Sequence, residues 1–181
     1  MQTMHEDVSQ ILFTEDEIQA RVKEIGAQIT ADYEGESILI VSVLRGAAIF
    51  MADLVRAIDL PVEMDYMAVS SYGTGAKSSG VVQILKDTTS SMEGRHVIIA
   101  EDILDSGLTL EFLMETFAPR NPASLAVATL LRKDVKPQAD IKCRYIGFEC
   151  PNEFIVGYGL DYAEKYRNLP YIGVLKPEIY Q

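Results

Sequence analysis

Between Glu101 and Thr109 the chain carries three carboxylates, Glu101, Asp102 and Asp105, followed at once by Ser106-Gly107-Leu108-Thr109. The residues before them, from Val97 to Ala100, are apolar without alternation and suit a strand buried on both faces. Ligands of open α/β sheets sit at the carboxyl ends of the strands, which is where these acids fall. A Ser-Gly-Leu-Thr run at a helix start offers backbone N–H groups, two hydroxyls and the positive end of the helix dipole, a cradle for phosphate. Adjacent carboxylates and a phosphate cradle in one turn fit a ligand that has both hydroxyls and phosphate. The plainer alternative is that Asp105 or Ser106 caps the helix while Glu101 and Asp102 are solvated at a strand end. Against it, so apolar a strand is unlike a surface segment that ends in acids by accident. No lysine follows the glycine, so the G-x-x-x-x-G-K-[ST] phosphate loop is absent.

These groups need elements to hold them. Thr14 and Glu17 form a capping-box pair ahead of Ile18, Val22, Ile25 and Ile29, which predicts a helix with one apolar stripe ending before Gly35. The run SILIVSVL at 37–44 predicts a buried strand, followed by Arg45-Gly46 and a second helix from about Ala47 to Ile58. VEMDYMAVS at 62–70 is a further strand, leading into the Gly/Ser-rich loop SYGTGAKSSG at 71–80, after which VVQIL resumes strand character. HVIIAE at 96–101, a helix from about Ser106 to Phe117 and SLAVATLL at 124–131 complete a β–α alternation. The pattern predicts an α/β fold with an open parallel sheet flanked by helices. From about residue 141 onward, YIGFEC, FIVGYGLD and YIGVL suggest shorter strands or turns.

With 181 residues, 48% of them hydrophobic, one compact unit is the expectation. A formal net charge of −11 argues against a sequence-independent grip on nucleic acid, which needs a basic stripe. A small polyanion can still bind through a few local cations, backbone amides or Mg²⁺. Cys143 and Cys150 form no C-x-x-C motif and read as buried apolar side chains, and His5 and His96 make no zinc set. No apolar run reaches the length of a membrane span, and the first residues lack a basic, cleavable leader, so a cytoplasmic protein is expected.

The 97–109 segment resembles the PRPP-binding motif of the type I phosphoribosyltransferases, PRPP being 5-phosphoribosyl pyrophosphate. SVLRGAAIFMADL at 42–54, VSSYG at 69–73, LLRKD at 130–134 and the stretch from Ile146 to Leu175 extend the similarity to the bacterial hypoxanthine-guanine phosphoribosyltransferases. The resemblance implies a core of about 36–140, with a small hood built from the N- and C-terminal segments at about 1–35 and 141–181. It also implies a Mg²⁺-dependent purine-salvage enzyme that moves phosphoribosyl from PRPP to hypoxanthine or guanine, giving IMP or GMP. A homodimer or homotetramer is implied as well, with neither nucleic acid nor membrane as partner.

Residue by residue, the resemblance assigns Glu101 and Asp102 to the ribose hydroxyls and the Mg²⁺ shell. It assigns Asp105, Ser106, Gly107, Leu108 and Thr109 to the 5-phosphate, with Asp105 also the general base. Arg45 and Gly46, in a loop that often contains a non-proline cis peptide, would hold pyrophosphate together with Ser71, Tyr72 and Arg167. Lys133 would meet the six-position oxygen of the purine, Phe154 stack on the base, Ile155 offer backbone groups, and Asp161 join the purine site and the Mg²⁺ shell. Leu108 departs from a position that is often basic in relatives, which shifts the 5-phosphate toward backbone amides. Two alternatives remain. A PRPP-sensing regulator of the same fold would need a basic face, and a Rossmann-like enzyme would need G-x-G-x-x-G after the first strand.

Overall fold

The computed structural model describes residues 3–71, 82–136 and 139–181, with the backbone alone at Ser71. After a 3-10 turn and β1 (Val8–Phe13), α1 (Glu15–Asp32) starts at the expected capping box. The Glu17 amide donates to Thr14 Oγ1 at 3.3 Å, and the Thr14 amide donates to Glu17 Oε2 at 2.8 Å. Ile18, Val22, Ile25 and Ile29 are all buried on its inner face. Each such side chain contributes about 1.5–3 kcal/mol relative to exposure, which outweighs the modest propensity of its β-branched residues.

The main sheet contains β2 (Ile38–Leu44), β3 (Val62–Ser71), β4 (Val82–Lys86), β5 (His96–Leu104), β6 (Ser124–Lys133) and β7 (Tyr145–Cys150) in the order β4-β3-β2-β5-β6-β7. All pairings are parallel except β3 with β4. Alternate residues of the central strands enter opposite cores. Ile38, Ile40, Ile98, Ala100, Ala126 and Ala128 pack with α1 and α2 (Ala48–Ala57). On the other face Leu39, Val41, Val97, Ile99 and Val127 pack with Leu110, Leu113 and Phe117 of α3 (Leu108–Phe117). Continuous apolar runs result from burial on both faces. Cys150 is buried and Cys143 half-buried, and burial pushes both thiols up to about 11.

Both chain ends meet in a second, antiparallel sheet of order β1-β9-β8, with β8 at Ile155–Val156 and β9 at Ile172–Leu175; the short helix α4 (Pro177–Tyr180) follows. Three expected boundaries shift. The hood was expected from about residue 141, yet β7 pairs in parallel with β6 and is the edge strand of the main sheet. Likewise α1 packs on the main sheet, so residues 1–35 contribute to the second sheet through β1 alone. The strand expected to end at Glu101 runs to Leu104, because Ile103 and Leu104 still find partners in Leu131 and Arg132.

Candidate active site

Two adjoining cavities open at the carboxyl ends of β2, β5 and β6, of about 350 and about 190 Å³, and share Asp102, Ile103 and Asp105 in their walls. The larger is lined by Leu44, Gly46 and the segment from Glu101 to Gly107 with Thr109. Lys133, Phe154, Ile155, Leu160, Asp161 and Arg167 line the smaller. Remote stretches of sequence therefore converge on one carboxylate-rich seam.

Glu101 and Asp102 lie within β5, ahead of its last two residues. Burial, then the Asp102 charge beside it, pushes the Glu101 carboxyl well above its ordinary range; burial raises Asp102 as well. The two carboxyls lie side by side in the cavity wall, and each raises the cost of charge on the other. Asp102 Oδ1 accepts from the Ile103 amide at 2.8 Å. Glu101 Oε2 is buried with no hydrogen-bond partner among the described residues. Such an orphan acceptor is costly unless a ligand hydroxyl or a cation satisfies it.

The segment expected to cradle phosphate differs from that expectation in its first residues. The helix begins at Leu108, not Ser106, because Gly107 takes φ +81° as its N-cap, a conformation glycine adopts without a Cβ clash. The first intrahelical bond runs from the Glu111 amide to the Gly107 carbonyl, so the amides of Thr109 and Leu110 precede the helical ladder. Ser106 Oγ accepts a long bond, 3.4 Å, from the Leu108 amide. Leu108 supplies backbone and an apolar side chain, so the anion-binding capacity of this turn resides in amides, hydroxyls and the dipole.

Lys133, at the end of β6, points to the seam: its Nζ lies 3.4 Å from Asp105 Oδ2, and its side chain is 16% exposed. Neighbouring Arg132 turns to the opposite side and pairs with Glu149. Ile155 is buried in β8, while Phe154 remains exposed beside the smaller cavity. On the far rim Arg167 Nη1 donates to the Gly159 carbonyl at 2.7 Å and Nη2 pairs with Asp161 Oδ1 at 3.0 Å. Asp161 Oδ2 accepts from the Glu164 amide at 2.9 Å, so both of its oxygens are engaged. The Leu44–Arg45 peptide is cis. At Gly46 a Cβ would fall 2.0 Å from Asp102 Oδ2, so only glycine lets this loop close on the carboxylate. Ser71 ends β3 at the same end of the sheet; Tyr72 and most of the expected loop at 71–80 lie outside the described residues.

Residues 10–163 match the phosphoribosyl transferase domain family. The hypoxanthine-guanine phosphoribosyltransferase of Bacillus subtilis (strain 168) is 54% identical over 178 residues, covering 98% of this chain and 99% of that protein. The chain belongs to the hypoxanthine-guanine phosphoribosyltransferase family. It is also similar to the bifunctional protein TilS/HprT of Listeria innocua serovar 6a, at 54% identity over 99% of this chain, and spans 28% of that protein's length. The crystal structure of a hypoxanthine phosphoribosyltransferase from Staphylococcus aureus superposes with a TM-score of 0.95 at 50% identity, covering 98% of this chain and 97% of that one.

Several side chains around the site escaped sequence reasoning. Glu164 contacts both Arg45 and Arg167, and its only sequence signal is the i, i+3 spacing to Arg167. Tyr180 stacks on Phe154, with ring centroids 4.6 Å apart and planes 20° apart, and Tyr162 meets the same ring edge-on. The Tyr158 hydroxyl donates to Asp53, which Gln19 also contacts, tying the second sheet's connecting loop to α1 and α2. No local pattern signals contacts so distant in sequence.

Proposed function

We propose that this chain transfers the 5-phosphoribosyl group of PRPP to hypoxanthine or guanine, leaving IMP or GMP and releasing pyrophosphate. The observation that carries this reading is the seam at Asp105. One side of it faces a cradle for a sugar phosphate, and the other faces an ammonium and an aromatic ring suited to a 6-oxopurine.

Displacing pyrophosphate from the anomeric carbon passes through an oxocarbenium-like state, so a departing polyanion and a cationic sugar need stabilisation together. Glu101 and Asp102 accept hydrogen bonds from the ribose hydroxyls and set negative charge beside the developing cation. Backbone amides at the start of α3 hold the 5-phosphate and fix the sugar. Arg167 and the amides at Arg45-Gly46 receive pyrophosphate. Asp105 takes the proton from one imidazole nitrogen of the purine while the other attacks. Mg²⁺ keeps most of its waters and takes few protein ligands, so the orphaned oxygen of Glu101 with Asp102 is a fitting donor set for it. Bound with the substrate, the ion would offset charge on the leaving group. Asp161, which lines the smaller cavity with Asp102, would join that shell.

Activity is expected to vanish in excess chelator and return on adding Mg²⁺, with the far-UV circular dichroism unchanged throughout. Full turnover in chelator would contradict the mechanism. The same reading makes the enzyme a cytoplasmic homodimer or homotetramer; among the described residues no helix is long and apolar enough to cross a membrane. A PRPP-sensing regulator is disfavoured by the net charge of −11 and by Lys133 and Phe154 in the second cavity, which binding of PRPP alone would not use.

A further inference from the structure

Tyr162 and Lys165 exchange backbone hydrogen bonds of 3.2 and 3.0 Å across a two-residue turn, Ala163-Glu164. Both central residues have positive φ, 50° and 61°, the signature of a type I′ turn, which favours Asn-Gly over Ala-Glu. Two side chains with a Cβ are therefore held in the left-handed region, a strained arrangement that calls for a compensating role. The turn aims the Glu164 carboxylate between two cations. Its Oε2 lies 2.7 Å from Arg45 Nη1 and its Oε1 3.3 Å from Arg167 Nη2. Its amide, 2.9 Å from Asp161 Oδ2, fixes the turn to the cavity wall.

We propose that Glu164 is an internal stand-in for the pyrophosphate anion: its carboxylate joins Arg45 to Arg167 and must yield both when pyrophosphate or PRPP binds. This rests on the assignment of Arg45 and Arg167 to pyrophosphate. The strength of the contacts suits an exchangeable occupant. Arg45 and Glu164 are 70% and 62% exposed, and ion pairs that open to water are weak, so a multiply charged phosphate group outcompetes one carboxylate. The stand-in keeps the arginines apart from each other's repulsion before binding and competes with the product afterwards. Glu164 thereby sets how tightly pyrophosphate is retained.

Calorimetric titration with magnesium pyrophosphate tests this. Glu164→Gln, which removes the charge and keeps the shape, is expected to tighten binding about 3- to 10-fold, the scale of two exposed ion pairs. With Arg45→Gln already in place, the gain from Glu164→Gln should fall to about half in logarithmic terms, because one of the two competing contacts is gone. Unchanged or weaker binding by Glu164→Gln overturns the proposal, as does an equal gain in both backgrounds, which would mark a general charge effect. Arg167→Gln separates the two levels of inference. If it leaves pyrophosphate affinity unaltered, the site assignment itself fails; if it weakens binding while Glu164→Gln does not tighten it, only the stand-in fails.

Discussion

Replacing Asp105 with asparagine is expected to lower turnover by about 10²-fold or more while the fold and PRPP affinity persist, since a positioned general base contributes on that scale. The side chain is 55% exposed, and its one described contact is the 3.4 Å pair with Lys133, so the substitution removes little that holds the fold. Asparagine keeps the size of the group and loses the capacity to take a proton. The two cavities meet at Asp105, so it can reach the purine's imidazole edge while its backbone remains part of the wall around the sugar phosphate. Steady-state kinetics and a PRPP binding isotherm on the same preparation check both halves. Near-normal turnover would remove Asp105 from the base role.

Lys133→Met is expected to lower catalytic efficiency with hypoxanthine and guanine strongly and to narrow their advantage over adenine. An ammonium has donors and no acceptor. It pairs with a six-position oxygen, whereas the amino group of adenine presents donors to donors. Sites built around such a hydrogen bond discriminate by about 10⁴-fold, because the mismatched analogue leaves buried groups unpaired. Lys133 is 16% exposed, so little water is available to repair that mismatch. The substitution also frees Asp105 from its partner, and that effect should fall on all bases alike. The ratio of hypoxanthine to adenine efficiency therefore isolates base recognition. An unchanged ratio would make Lys133 an ordinary cation.

How much of this was legible beforehand depended on whether the signal was local. The periodic helices α1 and α2 and the doubly buried strands β2, β5 and β6 announced themselves, since a two-sided core demands uninterrupted apolar runs. The chemistry of 101–109 was legible because carboxylates, glycine and hydroxyls lie within one turn of chain. The edge strand β7 was not placed, because half-exposed YIGFEC lacks such a run and its pairing with β6 is a tertiary fact. The extension of β5 past Glu101 depended likewise on partners in β6. Ala163-Glu164 carries no turn-forming residue, so neither its geometry nor the reach of Glu164 to Arg45, far away in the chain, could be inferred. The pairing of Glu101 with Asp102 was visible as adjacency, but the burial of its carboxyls and the orphaned Glu101 oxygen came only with the walls around it.

The most direct test of phosphoribosyl transfer is a product balance. Protein is incubated with PRPP, Mg²⁺ and hypoxanthine, and IMP and pyrophosphate are quantified by chromatography alongside the PRPP consumed. Transfer predicts one IMP and one pyrophosphate for each PRPP lost, with no ribose 5-phosphate beyond the enzyme-free control. Binding of PRPP without IMP, or its consumption to ribose 5-phosphate alone, would contradict it.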